Sequence, residues 1–308
     1  MSWKRIGASR LLVVVCAVLL PACNQTPTEI TPLPKAIGEV EAILIDVASL
    51  QPLDPATEGI YYLWALLERS ESESLATFNI GPGGQIVDTS GAPLREFRSD
   101  QFALRETLGI LITVESDADA PEAPSGMQIL SGTFIEGVAT LAVPISSAIT
   151  SAGGSMRVFS PTDGPNTNET SGIWMVDGNG DPSVGLPDTT AALEYELFID
   201  INGSSVAVGR FDRADQADDS CRFCADSSLA PARPGEDLLT NASGGLAFPA
   251  SLAGARITVS LEGGASDFLS RSQLIVLEGT VPIGVTPGAM VPLVNRTSTF
   301  PSGKAILF

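Results

Sequence analysis

Ile129-Leu130-Ser131-Gly132-Thr133 recurs as Val276-Leu277-Glu278-Gly279-Thr280, 147 residues further on. Both stretches are short and aliphatic, with a glycine before the closing threonine, and both are of strand length. The correspondence extends in both directions. Gly154-Ser155-Met156-Arg157-Val158-Phe159 returns as Gly303-Lys304-Ala305-Ile306-Leu307-Phe308, an offset of 149. Ile112-Thr113-Val114 aligns with Ile257-Thr258-Val259 at an offset of 145. Upstream, Tyr61-Tyr62-Leu63-Trp64 and Phe78 find weaker echoes in Tyr195-Glu196-Leu197-Phe198 and Phe211, at 134 and 133. Matches in constant order at drifting offsets describe two copies of one domain with loop insertions.

Each copy reads as β structure. Apolar runs of strand length fall at 40–48, 60–67, 76–80, 109–115, 127–134, 138–143 and 153–159 in the first copy. The second supplies 172–176, 193–201, 205–211, 255–261, 273–281, 289–293 and 304–308. Gly, Pro, Asp or Ser bounds most of them, and helical periodicity is sparse. Regularly spaced short strands imply a sandwich or barrel. The expectation is an all-β chain with two tandem β-sandwich (Ig-like) domains, at 39–160 and 165–308. The strand at 304–308 is expected to complete the second copy.

The first 22 residues read as an export signal. Lys4, Arg5 and Arg10 precede an apolar run from Leu11 to Leu20. The run is too short to span a bilayer, which needs about 20 residues. It ends in Leu20-Pro21-Ala22-Cys23, which resembles a bacterial lipobox. Cys23 is therefore the expected lipidation site, and the membrane a partner through that anchor. An ordinary secretory signal that happens to contain Cys23 is the alternative. Residues 23–38, rich in Pro and Thr, read as a short disordered tether. The expected location is the cell envelope, on the outer membrane or the outer face of the cell membrane.

Loss of residues 1–22 takes the formal net charge from −19 to −22. A chain this acidic repels phosphate backbones, so nucleic acid is not an expected partner. There is no histidine. That excludes Ser-His-Asp and Cys-His nucleophile chemistry and most catalytic zinc sites. No catalytic residues are assigned and no enzyme is expected. A carboxylate-based hydrolase is the lowest-ranked alternative.

Beyond the signal and Cys23, the cysteines are Cys221 and Cys224, in Cys-Arg-Phe-Cys. In an exported chain a local disulfide is the expected reading. Free thiols, a metal pair or a redox centre stay open behind it. Asp177-Gly178-Asn179-Gly180-Asp181 is the best metal candidate. Asp177, Asn179, Asp181 and Asp188 could offer oxygens to Ca²⁺, the one cofactor considered. Pro182 stands where an EF-hand loop needs glycine, so an ordinary hairpin turn is the default. The loop with Asp212, Asp215, Asp218 and Asp219, and that with Glu115, Asp117, Asp119 and Glu122, are read as solvated surface. Trp64 and Trp174 are expected in the core.

In the first copy Tyr61-Tyr62-Leu63-Trp64, Ile112-Thr113-Val114-Glu115 and an acidic loop ending Ala123-Pro124-Ser125-Gly126 follow in order. This resembles the extracytoplasmic domain of the anti-sigma-K factor family. In the second, Ser171-Gly172-Ile173-Trp174 and Pro234-Gly235-Glu236-Asp237 are similar to duplicated envelope lipoproteins related to that domain. The resemblance implies a β domain. The family's sigma-binding helical segment is not found in this sequence, so direct sigma binding is not implied. The functional expectation is a non-enzymatic, lipid-anchored binding or structural protein whose partner is an envelope protein or glycan. An accessory sensor for an anti-sigma-type signalling system is the alternative.

Overall fold

The computed structural model describes residues 42–100, 102–116, 121–124, 127–189, 192–242, 245–263 and 271–308. Cys23, the expected signal and the tether lie outside the described residues, as do Asp117 and Asp119. Eighteen strands are present among the described residues. The first copy contributes β1 (Ile43–Ala48), β2 (Ile60–Leu66), β3 (Ser72–Ile80), β4 (Ile86–Val87), β5 (Glu96–Phe97), β6 (Gly109–Glu115), β7 (Met127–Thr133), β8 (Val138–Ala142) and β9 (Gly153–Val158). The second contributes β10 (Gly172–Trp174), β11 (Val184–Gly185), β12 (Leu193–Ile201), β13 (Ser204–Phe211), β14 (Gly235–Asp237), β15 (Arg256–Gly263), β16 (Ile275–Thr280), β17 (Met290–Asn295) and β18 (Ser302–Leu307). Their helical content is short 3-10 turns, so the chain is all-β.

The strands form two antiparallel nine-stranded sheets, each the wall of a sandwich-like body. The first runs β4-β3-β2-β6-β7-β8-β18-β1-β5. Phe78 of β3 meets Phe97 of β5 edge-on, with centroids 6.3 Å apart, so the two ends of the sheet fold toward one another. The second runs β13-β12-β15-β16-β17-β9-β10-β14, with β11 on β9. One continuous apolar core extends through both bodies, from Ile43 and Leu63 to Leu197 and Val259.

The last strand of each copy belongs to the sheet of the other. β18 lies between β1 and β8, with Ala305 opposite both Ile45 and Ala139. β9 lies between β17 and β10, with Met156 opposite Val291 and Val158 opposite Ile173. The expectation that 304–308 completes the second copy is therefore corrected, and the bodies divide elsewhere than at 160–165. A repeated strand carries the same side-chain pattern in either place. Its pattern specifies a slot and not which copy supplies it. The glycines repeat for the same reason. A Cβ on Gly154 would strike Ser183 O, and one on Gly303 would lie 2.6 Å from Asp46 O.

Pairing also fixes how the copies superpose. Tyr61 stands opposite Phe78 and Val114, and Tyr195 opposite Phe211 and Leu261. Val114 thus corresponds to Leu261, an offset of 147, and the sequence match at 145 is two residues out of register. A two-residue slip keeps every side chain on its face, which is why the wrong alignment looks right. Irregularities repeat as well. β2 and β12 shift register at Leu63/Trp64 and Leu197/Phe198, and β6 and β15 at Ile112/Thr113 and Val259/Ser260.

Candidate functional site

The sharpest difference between the copies is at one register position. In the first body Phe97 pairs with Ile43, and in the second Glu236 pairs with Ile173. Ile43 and Ile173 are themselves equivalent through Leu307 and Val158. A buried aromatic at 2 % exposure is replaced by a carboxyl at 0 %. Burying an ionisable group is costly unless it is neutral or fully paired. Glu236 Oε2 has no hydrogen-bond partner.

The 212–234 connection between β13 and β14 folds over this carboxyl. Its start is stitched to β13: the Asp219 N–H donates to Arg210 O at 2.9 Å, and the Arg210 N–H donates to Asp219 Oδ1 at 2.8 Å. The Gly235 N–H donates to Asp218 Oδ2 at 3.0 Å, tying the same loop to β14. Further on, Phe223 O accepts the N–H groups of Leu239 and Thr240, and the Phe223 ring packs edge-on against Phe248. These bonds hold Cys221 and Cys224 against Glu236, the middle residue of β14. The two are joined in a disulfide, with Cα atoms 5.3 Å apart. Cys224 Sγ lies 2.8 Å from Glu236 Oε1. A disulfide sulfur carries no proton, so this contact is a hydrogen bond only in the form in which the carboxyl is protonated and donates.

Burial governs the charge of the whole cluster. It pushes the Glu236 carboxyl up to about 8, against the opposing main-chain N–H groups of Phe223 and Asp237. Asp218 is raised to about 7, again by burial, with the Gly235 N–H opposing. Asp237 is raised too. There the opposing bonds are strong: Oδ2 accepts Thr162 Oγ1 at 2.6 Å and the Thr162 N–H at 2.9 Å, and Oδ1 accepts Trp174 Nε1 at 2.8 Å. Thr162 Oγ1 in turn accepts the Ala225 N–H, anchoring the cysteine loop. The expectation of a solvated surface is corrected for Asp218, and for Glu115, which is 3 % exposed and accepts Thr113 Oγ1 at 2.6 Å. Asp215 fits it, facing solvent and paired with Arg213.

Among the described residues, Cys221, Cys224 and Glu236 are the group whose metal-capable atoms come within 4.8 Å of one another. With the sulfurs bonded to each other, neither offers the thiolate a metal would need. The carboxylates of Asp177, Asp181 and Asp188 do not come within 4.8 Å of one another as a group. Asp177 Oδ1 accepts the N–H groups of Asn179 and Asp181, at 2.7 and 3.0 Å, and caps an exposed turn. Asp188 is elsewhere, 2.8 Å from Arg213 Nη1. The hairpin default describes this segment, because the carboxylate is spent on its own turn.

A second site lies between the bodies. A cleft of about 200 Å³ is lined by Val114, Met127 and Ile129 on one side and Glu262, Arg271 and Gln273 on the other. Tyr61 OH donates to Gln51 O at 2.8 Å and accepts Gln273 Nε2 at 2.6 Å. Burial raises Glu262 to about 7, although Ser260 Oγ and the Ser272 N–H both donate to it. Arg271 is held by Asp200 and Thr258 Oγ1 beneath the Phe198 ring. Trp64 and Trp174 are each 1 % exposed, as core residues should be. Comparison of the chain with protein-family models, with curated proteins and with solved structures gave no match.

Proposed function

We propose that the chain is a lipid-anchored binding or structural protein of the cell envelope, without enzymatic activity. The observation that supports this most is the cleft between the bodies. Its two walls come from different copies, and the Tyr61–Gln273 bond ties them together. A concave site with an apolar wall and a few convergent polar groups is how proteins orient a bound segment or sugar. The Lys4–Cys23 pattern supplies the expected anchor, and the net charge of −19 disfavours nucleic acid. Affinity capture of envelope components by the intact lipoprotein tests the reading. A partner that is lost when Met127→Arg fills the cleft supports it. A partner retained at full strength by that variant sinks the assignment to the cleft.

The second reading is an accessory sensor that meets a membrane anti-sigma-type protein. The Tyr61–Trp64 and Ile112–Glu115 motifs favour it, since they fall on adjacent paired strands. Recovery of a membrane-spanning regulator in the same capture distinguishes it from the first.

A further inference from the structure

The sister body shows that this fold closes with a phenylalanine where Glu236 stands. The carboxyl that stands there instead keeps one oxygen unpaired, while the other accepts the Asp237 N–H at 3.2 Å and lies 2.8 Å from Cys224 Sγ. We propose that Cys221–Cys224 is an exchange-reactive disulfide whose reaction partner is an external dithiol, with Glu236 as the acid–base group of Cys224. This goes beyond the binding role above and does not depend on it.

Access decides which sulfur reacts. Cys221 is partly exposed, whereas Cys224 is 8 % exposed and packed beside Trp174 and Val176. An incoming thiolate therefore attacks Cys221 Sγ. The bond from Cys221 to the reagent sulfur forms as the Cys221–Cys224 bond breaks, and Cys224 leaves with the electron pair. Glu236 Oε1, 2.8 Å away, is placed to hand its proton to that sulfur. The reagent's second thiolate then attacks the reagent sulfur of the mixed disulfide and frees Cys221 as a thiolate, which is protonated by solvent. Glu236 also regains its proton from solvent. Two electrons pass from the dithiol, which leaves as a disulfide, and the chain gains two thiols. In the reverse direction Glu236 takes the proton of Cys224 as the bond reforms.

The proton affinity suits the task. A carboxyl at about 8 nearly matches an ordinary thiol, so transfer in either direction is close to balanced. The loop geometry suits it as well. Arg222 and Phe223, between the cysteines, are held by bonds to residues outside the pair, namely Asn241 to Arg222 O and Thr240 to Phe223 O. The loop can therefore keep its shape when the disulfide opens.

The test uses the folded full chain and dithiothreitol under native conditions, with adducts mapped by alkylation and mass. The disulfide is expected to open without unfolding, with the first mixed adduct on Cys221. Glu236→Gln is expected to slow opening, per reagent thiolate, by about tenfold or more and to flatten its dependence on pH near 8, and Glu236→Asp to restore part of the rate. Glu236→Phe, which copies the residue of the sister body, is expected to show the same slow rate wherever its circular dichroism matches the wild-type chain. A disulfide that opens only on unfolding, a first adduct on Cys224, or a Glu236→Gln chain with the wild-type rate and pH profile would overturn the proposal. Should Glu236→Gln not fold, the position of the first adduct in the wild-type chain still decides.

Discussion

Ile43, in the first strand, lies opposite Leu307, in the last, and their antiparallel ladder runs on to Ala48 and Ser302. The first and last of the described strands are thus paired with each other. β18 fills the gap between β1 and β8. Without it both neighbours expose unpaired edges, and the buried Ala305, Ala139 and Leu141 lose their packing. A chain ending at residue 301 is expected to lose the first body and keep the second. Hydrogen exchange checks this: protection should vanish over β2 and β6 and persist over β12 and β15. Loss confined to β12 and β15 would contradict the strand exchange.

The mirror-image truncation makes the same point. A chain of residues 165–308 lacks β9, so β17 and β10 lose the strand between them. A chain of residues 153–295 contains every strand of the second sheet. Cooperative melting is expected from the second and not from the first, by circular dichroism at matched concentration.

Much of this fold can be read from the residues, and the unread part has a physical cause. The longer strands announce themselves by alternating apolar side chains between turn residues, as in β12 and β13. Two-residue strands such as β4 and β5 have no periodicity to detect. The exchange of β9 and β18 is invisible because Val158 and Leu307 suit either slot. The site is less legible still. Cys221 and Cys224 show plainly as a pair, but the carboxyl that meets them is 12 residues beyond Cys224. Glu236 could be noticed only by superposing it on Phe97, which needs the pairing with Ile43 and Ile173 to be known. Asp188 misleads for the converse reason: its spacing from Asp177 looks like a ligand count, while its partner is Arg213.

Stability should fall as pH rises above the ordinary carboxyl range. Glu236, Glu262 and Asp218 are raised to about 8, 7 and 7. Between the ordinary value, about 4, and these values the folded state binds more protons than the unfolded one. Their contribution is complete below the ordinary value and is lost as pH climbs through 7 to 8. Glu278 acts oppositely: Arg256 holds it low, so its contribution is lost on acidification. A melting temperature higher at pH 5 than at pH 8 is expected. Glu236→Gln should flatten the profile, and an unchanged slope would show that the carboxyl is not buried neutral.

The hydroxyls of Tyr61 and Tyr195 are equivalent in position and unequal in work. Tyr195 OH donates to Pro187 O at 2.9 Å within its own body. Tyr61 OH donates to Gln51 O and also accepts from Gln273, which ties the bodies together. Tyr61→Phe removes two bonds and leaves a side-chain amide without its partner, so it should cost about 2 kcal/mol. Tyr195→Phe should cost about 1 kcal/mol. A double-mutant cycle of Tyr61→Phe with Gln273→Ala should show coupling, whereas additivity would mean that the bond contributes nothing across the cleft.

Calcium should leave the chain unchanged. A ligand that binds the native state alone raises the melting temperature by mass action. Asp177 has given Oδ1 to the N–H groups of Asn179 and Asp181, and Asp188 is engaged by Arg213, so no oxygen cage forms around the turn. Millimolar Ca²⁺ or a chelator is therefore expected to shift the melting temperature by less than about 1 °C, within the scatter of the measurement. Asp177→Ala, by contrast, removes the acceptor that closes the turn and should lower the melting temperature equally with or without the ion. A Ca²⁺-dependent rise in stability that Asp177→Ala abolishes would show that the turn opens to bind the cation, against the hydrogen bonding seen here.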